Sequence, residues 1–200
     1  MTDRVAGPRA RPDDLTAKAR IRREALHLFA EHGVGATSLR TIAASAGVTV
    51  GLIVHHYGTK EALCDAVELE VVDLFAEAIA SVPVDDRPAA DLVAARDVAV
   101  AEMLADNPAV VDYLRRAILH GGGDRKDLVS RLTELTAQQV RDLRTAGLAS
   151  TRQTVGEQVV TIMVRQLGRL FLQPLVDRIA EEFDDLAGPS RPQLLVTLTR

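Results

Sequence analysis

Two adjacent histidines, His55 and His56, follow a short apolar stretch and precede a lysine, Lys60. A histidine side chain can bind a metal, transfer a proton, or donate a hydrogen bond to a base or a phosphate. Adjacent residues of a helix point about 100° apart, so this pair cannot hold one metal ion without further ligands. The pair therefore fits a surface that contacts a larger molecule better than it fits a metal centre.

Two cations, Arg40 and Lys60, fall where the sequence predicts the first turn of a helix. The N-terminus of a helix presents free N–H groups and the positive end of the dipole, so it attracts phosphates, whereas a cation there opposes helix stability. We interpret both cations as candidate phosphate contacts. The alternatives are a solvated Arg40 and a Lys60 that pairs with a nearby acid.

The elements that must position these residues are predicted to be helices, because the apolar spacing is helical along almost the whole chain. An all-α fold is expected, with helices over residues 15–32, 38–45, 49–57, 60–81, 89–105, 108–119, 124–146, 154–172 and 174–186. The predicted N-caps are Thr37, Thr49, Thr59 and Asn107. Residues 1–14 read as a disordered basic arm, and residues 187–200 allow a helix, a strand or a loose end.

The second and third of these helices have the spacing of a helix-turn-helix over about residues 38–57. Ala43 is small where the two helices would cross, Gly47 lies in the turn, and Ile53 is the predicted inward anchor. The residues left to face outwards are Thr49, Val50, Gly51, Leu52, Val54, His55 and His56. In a major groove, apolar groups of this kind contact thymine methyls, and histidines donate to phosphates or purine acceptors.

Composition and charge limit the class of protein. Residues 1–60 carry nine Lys/Arg and five Asp/Glu, whereas the remainder carries 15 and 23, so a basic head precedes an acidic body. That asymmetry favours a polyanion as partner, although a chance solvated face is the alternative. Cys64 is the single cysteine, which excludes an intrachain disulfide and favours a reducing compartment. No apolar run approaches the ~20 residues of a membrane span, and no nucleophile, base and orienter stand at informative spacings.

The string ALHLFAEHGVGATSLRTIAASAGVTVGLIVHHYGTKEAL, residues 25–63, carries a recognisable set of motifs. The set consists of Phe29 to Gly33 at the end of the first helix, Thr37-Ser38, Ile42-Ala43, Ala46 to Val48, Tyr57 and Thr59-Lys60-Glu61. In this set the chain resembles the DNA-binding domain of the TetR/AcrR family of bacterial transcriptional regulators. The resemblance covers residues 15–63.

The resemblance implies a homodimer whose two recognition helices enter successive major grooves of a palindromic operator on double-stranded DNA. By position it implies DNA contacts from Thr37, Ser38, Arg40, Thr49, Val50, Gly51, Leu52, Val54, His55, His56 and Lys60, with Lys60 on a phosphate. Val50 stands where the family often has a polar residue, and Val54 where it usually has a tyrosine. Both differences remove hydrogen-bonding groups, so this helix is expected to read methyl groups and shape more than hydrogen bonds.

The resemblance further implies that residues 64–200 form a C-terminal domain for dimerisation and for binding a small-molecule effector. The region 154–186 is apolar over a wide arc, which favours cover by its own domain and by a second chain, or by its own domain alone. The candidate dimer residues are Val160, Val164, Leu167, Phe171, Leu175, Ile179 and Phe183. The candidate effector-binding residues are Met103, Tyr113, Arg116, His120 and Gln166.

The sequence thus predicts a cytoplasmic, dimeric DNA-binding repressor that a small molecule releases from its operator. It predicts no enzymatic activity, no cofactor, no metal and no membrane attachment. The alternative is a helical ligand-binding protein of the same fold that lacks specific DNA recognition, for which Val50 and Val54 are the main support.

Overall fold

The computed structural model describes residues 12–85, 87–120, 128–183, 192, 194 and 196. These residues form eight helices and no strand, which confirms the all-α prediction. The helices are α1 (Pro12–His32), α2 (Leu39–Ala46), α3 (Val50–Tyr57), α4 (Lys60–Ala80), α5 (Ala89–Asp106), α6 (Pro108–His120), α7 (Leu128–Thr145) and α8 (Val155–Ala180). They divide into two compact units, one ending at Glu70 and the other beginning at Val71, so the boundary falls within α4.

The first unit is built around the packing of α1, α2 and α3. Its largest fully buried side chains are Ile21, Phe29, Ile42, Ile53, Leu63 and Val67. Each such side chain contributes about 1.5–3 kcal/mol through removal of apolar surface from water. Gly47 ends α2 in the left-handed region (φ 61°), and its N–H and that of Val48 reach back to carbonyls of the last turn. The turn between α2 and α3 is therefore set locally, as the sequence predicted.

The cap of α2 differs from the prediction. Ser38, rather than Thr37, is the N-cap, since its hydroxyl accepts from the N–H of Thr41 at 3.1 Å. Thr37 is only 2 % exposed, and its hydroxyl donates to the carbonyl of Gly33 at 2.8 Å. The side chain of Thr37 thus closes the loop after α1 and leaves the capping role to its neighbour.

Other helix ends agree more closely. Thr49 caps α3 by accepting from the N–H of Leu52 at 3.2 Å, and Thr59 accepts from the N–H of Ala62 at 3.1 Å. α1 begins at Pro12, inside the predicted arm, and residues 1–11 lie outside the described part. Asn107, predicted to cap α6, donates its amide to the carbonyl of Met103 at 2.7 Å and so completes the end of α5 instead.

The second unit holds α5 to α8 and the C-terminal half of α4. Its buried apolar side chains include Leu92, Val100, Val110, Leu114, Leu128, Leu132, Val140 and Val159. α7 packs along α8, and Thr154 opens α8 with a capping box completed by Glu157. Because the apolar positions of α7 recur at helical spacing, one of its faces lies in the core and the other is polar.

α8 is a single helix, where the sequence predicted two helices, 154–172 and 174–186. Pro174 lies inside α8, and the prediction that the chain breaks before it is wrong. A proline has no N–H, so the carbonyl of Leu170 loses its helical donor. The guanidinium of Arg115 donates to that carbonyl at 3.4 Å from α6. A side chain from another helix thus supplies the hydrogen bond that proline removes, and the helix continues.

Three residues of the C-terminal tail are described, and they contact α8. The side-chain amide of Gln173 donates to the carbonyl of Pro192 at 3.0 Å and accepts from the N–H of Leu194 at 2.7 Å. Val196 lies against Gly168, where an added Cβ would come within 2.6 Å of Val196 Cγ2. Gly168 therefore permits a close approach of the tail that any larger residue would obstruct.

α8 is also the one helix among the described residues that is long and apolar enough to cross a membrane by length and composition. Little of its apolar window is buried within the chain. The middle of α8 nevertheless carries Arg165, which forms an ion pair with Asp97 of α5. α8 therefore keeps much of its apolar surface exposed, while the Arg165–Asp97 ion pair attaches it to α5 of its own unit.

Candidate nucleic-acid interface and effector cavity

α3 is a two-turn helix with one buried residue. Ile53 is fully buried, which confirms it as the anchor, while the rest of the helix is exposed or half-buried. Gly51, Val54 and His55 are the exposed members, and Val54 keeps 46 % of its surface in water. Val50 and Leu52 are half-buried. The helix therefore presents an apolar surface with one exposed imidazole, whereas the sequence predicted that both histidines face outwards.

The two histidines have different surroundings. His55 is exposed, whereas His56 is half-buried and its Nε2 is enclosed without a hydrogen-bond partner in the described structure. Their rings meet edge to face with centroids 5.4 Å apart. Since Nε2 of His56 is turned away from solvent, His55 is the better placed of the two to donate to a base edge.

The N-terminal turn of α2 carries a cation with no counter-charge. Arg40 is exposed and makes no hydrogen bond or ion pair with the described residues. Ser38 is exposed beside it, with its hydroxyl shared between the N–H and the hydroxyl of Thr41. A free guanidinium next to a helix N-terminus is an arrangement that attracts phosphate.

Lys60 has a role that the sequence did not reveal. Its ammonium donates to the carbonyl oxygens of Val34 at 2.9 Å and Thr37 at 3.2 Å. Two of its three donors are thus occupied by the loop between α1 and α2, and one remains for a ligand. Lys60 therefore holds that loop against the start of α4, whether or not it also contacts a phosphate.

Two further interactions fix the frame around α3. The hydroxyl of Tyr57 donates to the carbonyl of Lys18 at 2.8 Å, and the Lys18 ammonium lies 5.7 Å from the centre of the Tyr57 ring. Burial raises the pKa of Tyr57 to about 12. Arg22 of α1 pairs with Glu70 of α4 at 2.8 Å. The C-terminal end of α3 is thus attached to α1 by a polar contact as well as by packing.

A cavity of about 110 Å³ lies within the second unit, among α4, α5, α6, α7 and α8. Its walls are mainly apolar, with Phe75, Val100, Leu114, Leu132 and Leu170 among them. A more open groove of about 430 Å³ shares six of its lining residues, including Val100, Leu104 and Leu170. The two spaces are therefore adjoining parts of one site, which has the concave, largely apolar character of a small-molecule pocket.

Of the five residues predicted to bind an effector, Gln166 alone lines this site. Tyr113 is buried, while Met103 and Arg116 are half-buried, and none of the three lines either space. The side chain of His120 lies outside the described residues. Polar residues of the smaller cavity that the sequence missed include Arg96, Asp97, Thr136, Gln139 and Arg165. Charged residues in the middle of apolar helices were the available signal.

Five of the seven predicted dimer residues form an exposed apolar stripe. Val160, Val164, Leu175 and Ile179 lie on α8 and Phe183 follows its end, and Leu172 extends the stripe. The other two, Leu167 and Phe171, are half-buried, and Leu167 faces the cavity. Gly168, which receives Val196 of the tail, lies in register with the stripe. An apolar surface of this length on a helix is unusual for a monomer.

Residues 21–67 match the sequence model described as bacterial regulatory proteins of the tetR family. Among curated proteins, the HTH-type transcriptional regulatory protein RaaS of Mycobacterium tuberculosis is 48% identical over 71 residues, which are 36% of this chain and 31% of that protein. The HTH-type transcriptional repressor KstR2 of Rhodococcus jostii is 41% identical over 59 residues, 28% of this chain and 29% of that protein. The aligned part thus spans about a third of these relatives.

The fold comparison extends over both units. A protein described as a tetR family transcription regulator from Shewanella sp. PV-4 superposes with a TM-score of 0.65 and 22% identity, covering 84% of this chain and 89% of that chain. At this identity the likeness concerns the fold alone. The curated relatives that match are transcriptional regulators, and the structural neighbour has the same arrangement of helices.

Proposed function

We propose that the chain is a member of the TetR family of bacterial regulatory proteins, whose sequence model matches residues 21–67, and that it is a cytoplasmic, homodimeric transcriptional repressor without enzymatic activity. It binds a palindromic operator on double-stranded DNA and leaves it when a small molecule occupies the cavity of the second unit. The observation that carries the proposal is the surface of α3. Only Ile53 of that helix is buried, while Val54 and His55 are exposed and Val50 and Leu52 are half-buried, so an apolar surface with one imidazole is available to a groove.

The DNA contacts that we propose come from α2 and α3. Arg40 and Ser38 hold the backbone at the N-terminus of α2, where Arg40 has no protein partner among the described residues. Thr49, Val50, Gly51, Leu52, Val54 and His55 face the groove, with His55 as the polar reader. Lys60 contributes its remaining donor to a phosphate, and Thr37, which is buried, supports the loop rather than the DNA.

The apolar stripe of α8 supports the dimer. A stripe from Val160 to Phe183 removes apolar surface from water when it meets the same stripe of a second chain, which is the self-complementary pairing of a two-fold dimer. A palindromic operator follows, because a two-fold dimer presents two equal reading helices about 34–36 Å apart.

Release by a ligand is supported by where α4 contributes its side chains. Leu63 and Val67 belong to the core of the first unit, while Phe75 and Ile79 of the same helix line the cavity of the second. A ligand that binds better when Phe75 and Ile79 are displaced favours a different position of α4. Because the same helix continues into the first unit, the ligand also shifts the population of conformations of the DNA-binding unit. The repressor KstR2 supports repression rather than activation.

The test is selection of genomic fragments by the full-length protein, followed by binding to the enriched fragment at several salt concentrations with excess competitor DNA. A specific operator survives competition, carries an inverted repeat and weakens steeply with salt. Absence of any enriched fragment favours the alternative, a ligand-binding protein of the same fold without specific DNA recognition.

His55→Ala is the specificity arm of that experiment, and His56→Ala is its control. Loss of a base-reading imidazole relaxes preference at one operator position by about 1–3 kcal/mol. His56→Ala leaves the preference in place, because Nε2 of His56 is turned inwards. An unchanged preference in His55→Ala contradicts the base-reading role.

A further inference from the structure

The effector cavity contains an excess positive charge. Arg96 of α5 and Arg165 of α8 both line it, and Asp97 is the one carboxylate among its lining residues. The carboxylate of Asp97 is already engaged, since it pairs with Arg165 at 2.9 Å and accepts from the amide of Gln166 at 3.3 Å. Arg96 is left without an acid, and the amide oxygen of Gln139, at 3.4 Å, is its hydrogen-bond acceptor in the described structure.

The two arginines of the cavity also have hydrogen-bond donors that are unsatisfied among the described residues. Nε of Arg96 and Nε of Arg165 are both enclosed and lack a hydrogen-bond partner in the part of the chain that the structure describes. Burial lowers the pKa of Arg96, with no opposing carboxylate to offset it. An arginine keeps its proton under these conditions, so the site carries a partly desolvated cation. A half-buried charge that has an amide acceptor but no carboxylate is costly to the free protein, and an anion that supplies the acceptor for Nε lowers that cost.

The remaining walls specify the rest of the ligand. They are apolar side chains of the kind found at Val100, Leu104 and Leu132. The cavity of about 110 Å³ is somewhat smaller than an apolar cavity of about 150 Å³ that takes a benzene ring. The adjoining groove of about 430 Å³ gives room for a longer body. The site therefore fits a molecule with one anionic end and an extended apolar part.

Resting on the proposed function, which makes this cavity the effector site, we propose that the effector is an amphipathic carboxylate. Its carboxylate accepts from the guanidinium of Arg96, and its apolar body lies along α5, α7 and α8. The planar fork of arginine matches a carboxylate with two parallel hydrogen bonds, which an alcohol or an amine cannot accept. Neutral molecules of the same shape contact the apolar walls and leave Arg96 without a carboxylate partner.

Calorimetric titration of the full-length protein, without DNA, tests the proposal. The probes are octanoate, decanoate and 4-phenylbutanoate below their critical micelle concentrations, each with its matched primary alcohol. At least one carboxylate is expected to bind about tenfold or more tightly than its alcohol, as a hydrogen bond to a charged group implies. Equal affinity of acid and alcohol, or no binding by any probe, overturns the proposal.

Arg96→Met is the decisive variant, and Arg169→Met, whose arginine lines the open groove, is the matched control. Arg96→Met is expected to lose about tenfold or more in carboxylate affinity, with the alcohol unchanged, while Arg169→Met keeps the wild-type preference. Loss in Arg169→Met instead of Arg96→Met overturns the proposal. If Arg96→Met does not fold, Arg96→Lys keeps the charge but removes the fork, and full carboxylate affinity in that variant also counts against it.

Operator release is measured separately from binding. In one outcome, a carboxylate binds through Arg96 without releasing the protein from its operator. That result upholds the present inference and contradicts the release by ligand in the proposed function. If the alcohols release the protein from its operator as potently as the acids, ligand release in the proposed function is upheld and the carboxylate inference is contradicted.

Discussion

The ammonium of Lys60 lies 2.9 Å from the carbonyl oxygen of Val34, a residue of the loop that leads into the DNA-facing helices. The same ammonium also reaches Thr37 of that loop. A lysine at the start of α4 is therefore part of the frame of the DNA-binding unit before any DNA is present. A change at Lys60 should therefore alter both the stability of the DNA-binding unit and its affinity for DNA.

Lys60→Ala is expected to lower both the free energy of unfolding and the affinity for DNA. Loss of two hydrogen bonds from a half-buried ammonium costs about 1–2 kcal/mol of stability. The affinity should fall about equally for all DNA sequences, with the salt slope reduced by about 1. Arg40→Ala is the matched variant, because Arg40 has no partner among the described residues. It should lower affinity alone; urea unfolding and salt titrations of both variants check the contrast.

Ile179→Asp is expected to dissociate the dimer. Ile179 is 52% exposed on the stripe of α8, so the substitution leaves the core of one chain intact but places a carboxylate in the proposed interface. An unpaired charge there should raise the dimer dissociation constant at least about a hundredfold, or roughly 2.7 kcal/mol. Sedimentation equilibrium measures it.

Val98→Asp provides the control for that prediction, since Val98 is 56% exposed and lies on α5 rather than on α8. It should remain a dimer with wild-type affinity. Dissociation by both variants, or by neither, contradicts the assignment of the interface to α8.

Gly168→Ala is expected to destabilise the second unit, although alanine is the better helix former. The new Cβ would lie 2.6 Å from Val196, so the tail must shift, at a cost of about 1–3 kcal/mol for overpacking. Gly156→Ala, on the same helix with open space around it, should instead gain up to about 1 kcal/mol. Thermal unfolding distinguishes them, and Val196→Ala should rescue Gly168→Ala. Equal gains in both glycine variants would falsify the close contact.

Tyr57 makes stability depend on pH at the alkaline end. Burial raises its pKa to about 12 from an ordinary value near 10, so the folded state holds the phenolic proton more tightly than the unfolded chain. The stabilisation is complete below pH 10 and is lost as the pH rises from about 10 to about 12. Tyr57→Phe cannot lose a proton, so its unfolding free energy should decline less over that range. Parallel curves from chemical denaturation of the two proteins would contradict the burial of the Tyr57 hydroxyl.

The parts of the fold that the sequence predicted are those that depend on neighbours in the chain. Thr49 and Gly47 act through residues a few positions away, so the cap of α3 and the turn before it could be predicted from spacing. The continuity of α8 through Pro174 could not, because its donor, Arg115, is 55 residues from the carbonyl it satisfies. A proline by itself predicts that the helix ends, and no neighbouring residue indicates that a side chain from another helix will supply the missing hydrogen bond.

The candidate sites divide in the same way. The exposure of Gly51, Val54 and His55 follows from one helix and its anchor, so it was predictable, whereas the enclosure of Nε2 of His56 was not. The role of Lys60 depends on carbonyls 26 and 23 residues away, and backbone acceptors leave no mark in the sequence. The cavity residues Arg96 and Arg165 come from two helices whose facing sides are decided by packing. Guesses made helix by helix therefore found Gln166 and missed the arginines beside it.

The single buried residue of α3 has a consequence for how such a protein changes over generations. Because Ile53 anchors the helix while Thr49 and Tyr57 hold its ends, the outward positions contribute little to folding. Mutations at Val50, Val54 or His55 are therefore nearly free of a stability penalty. A duplicated copy of the gene could acquire a new operator through those few codons while it kept its fold and its effector cavity.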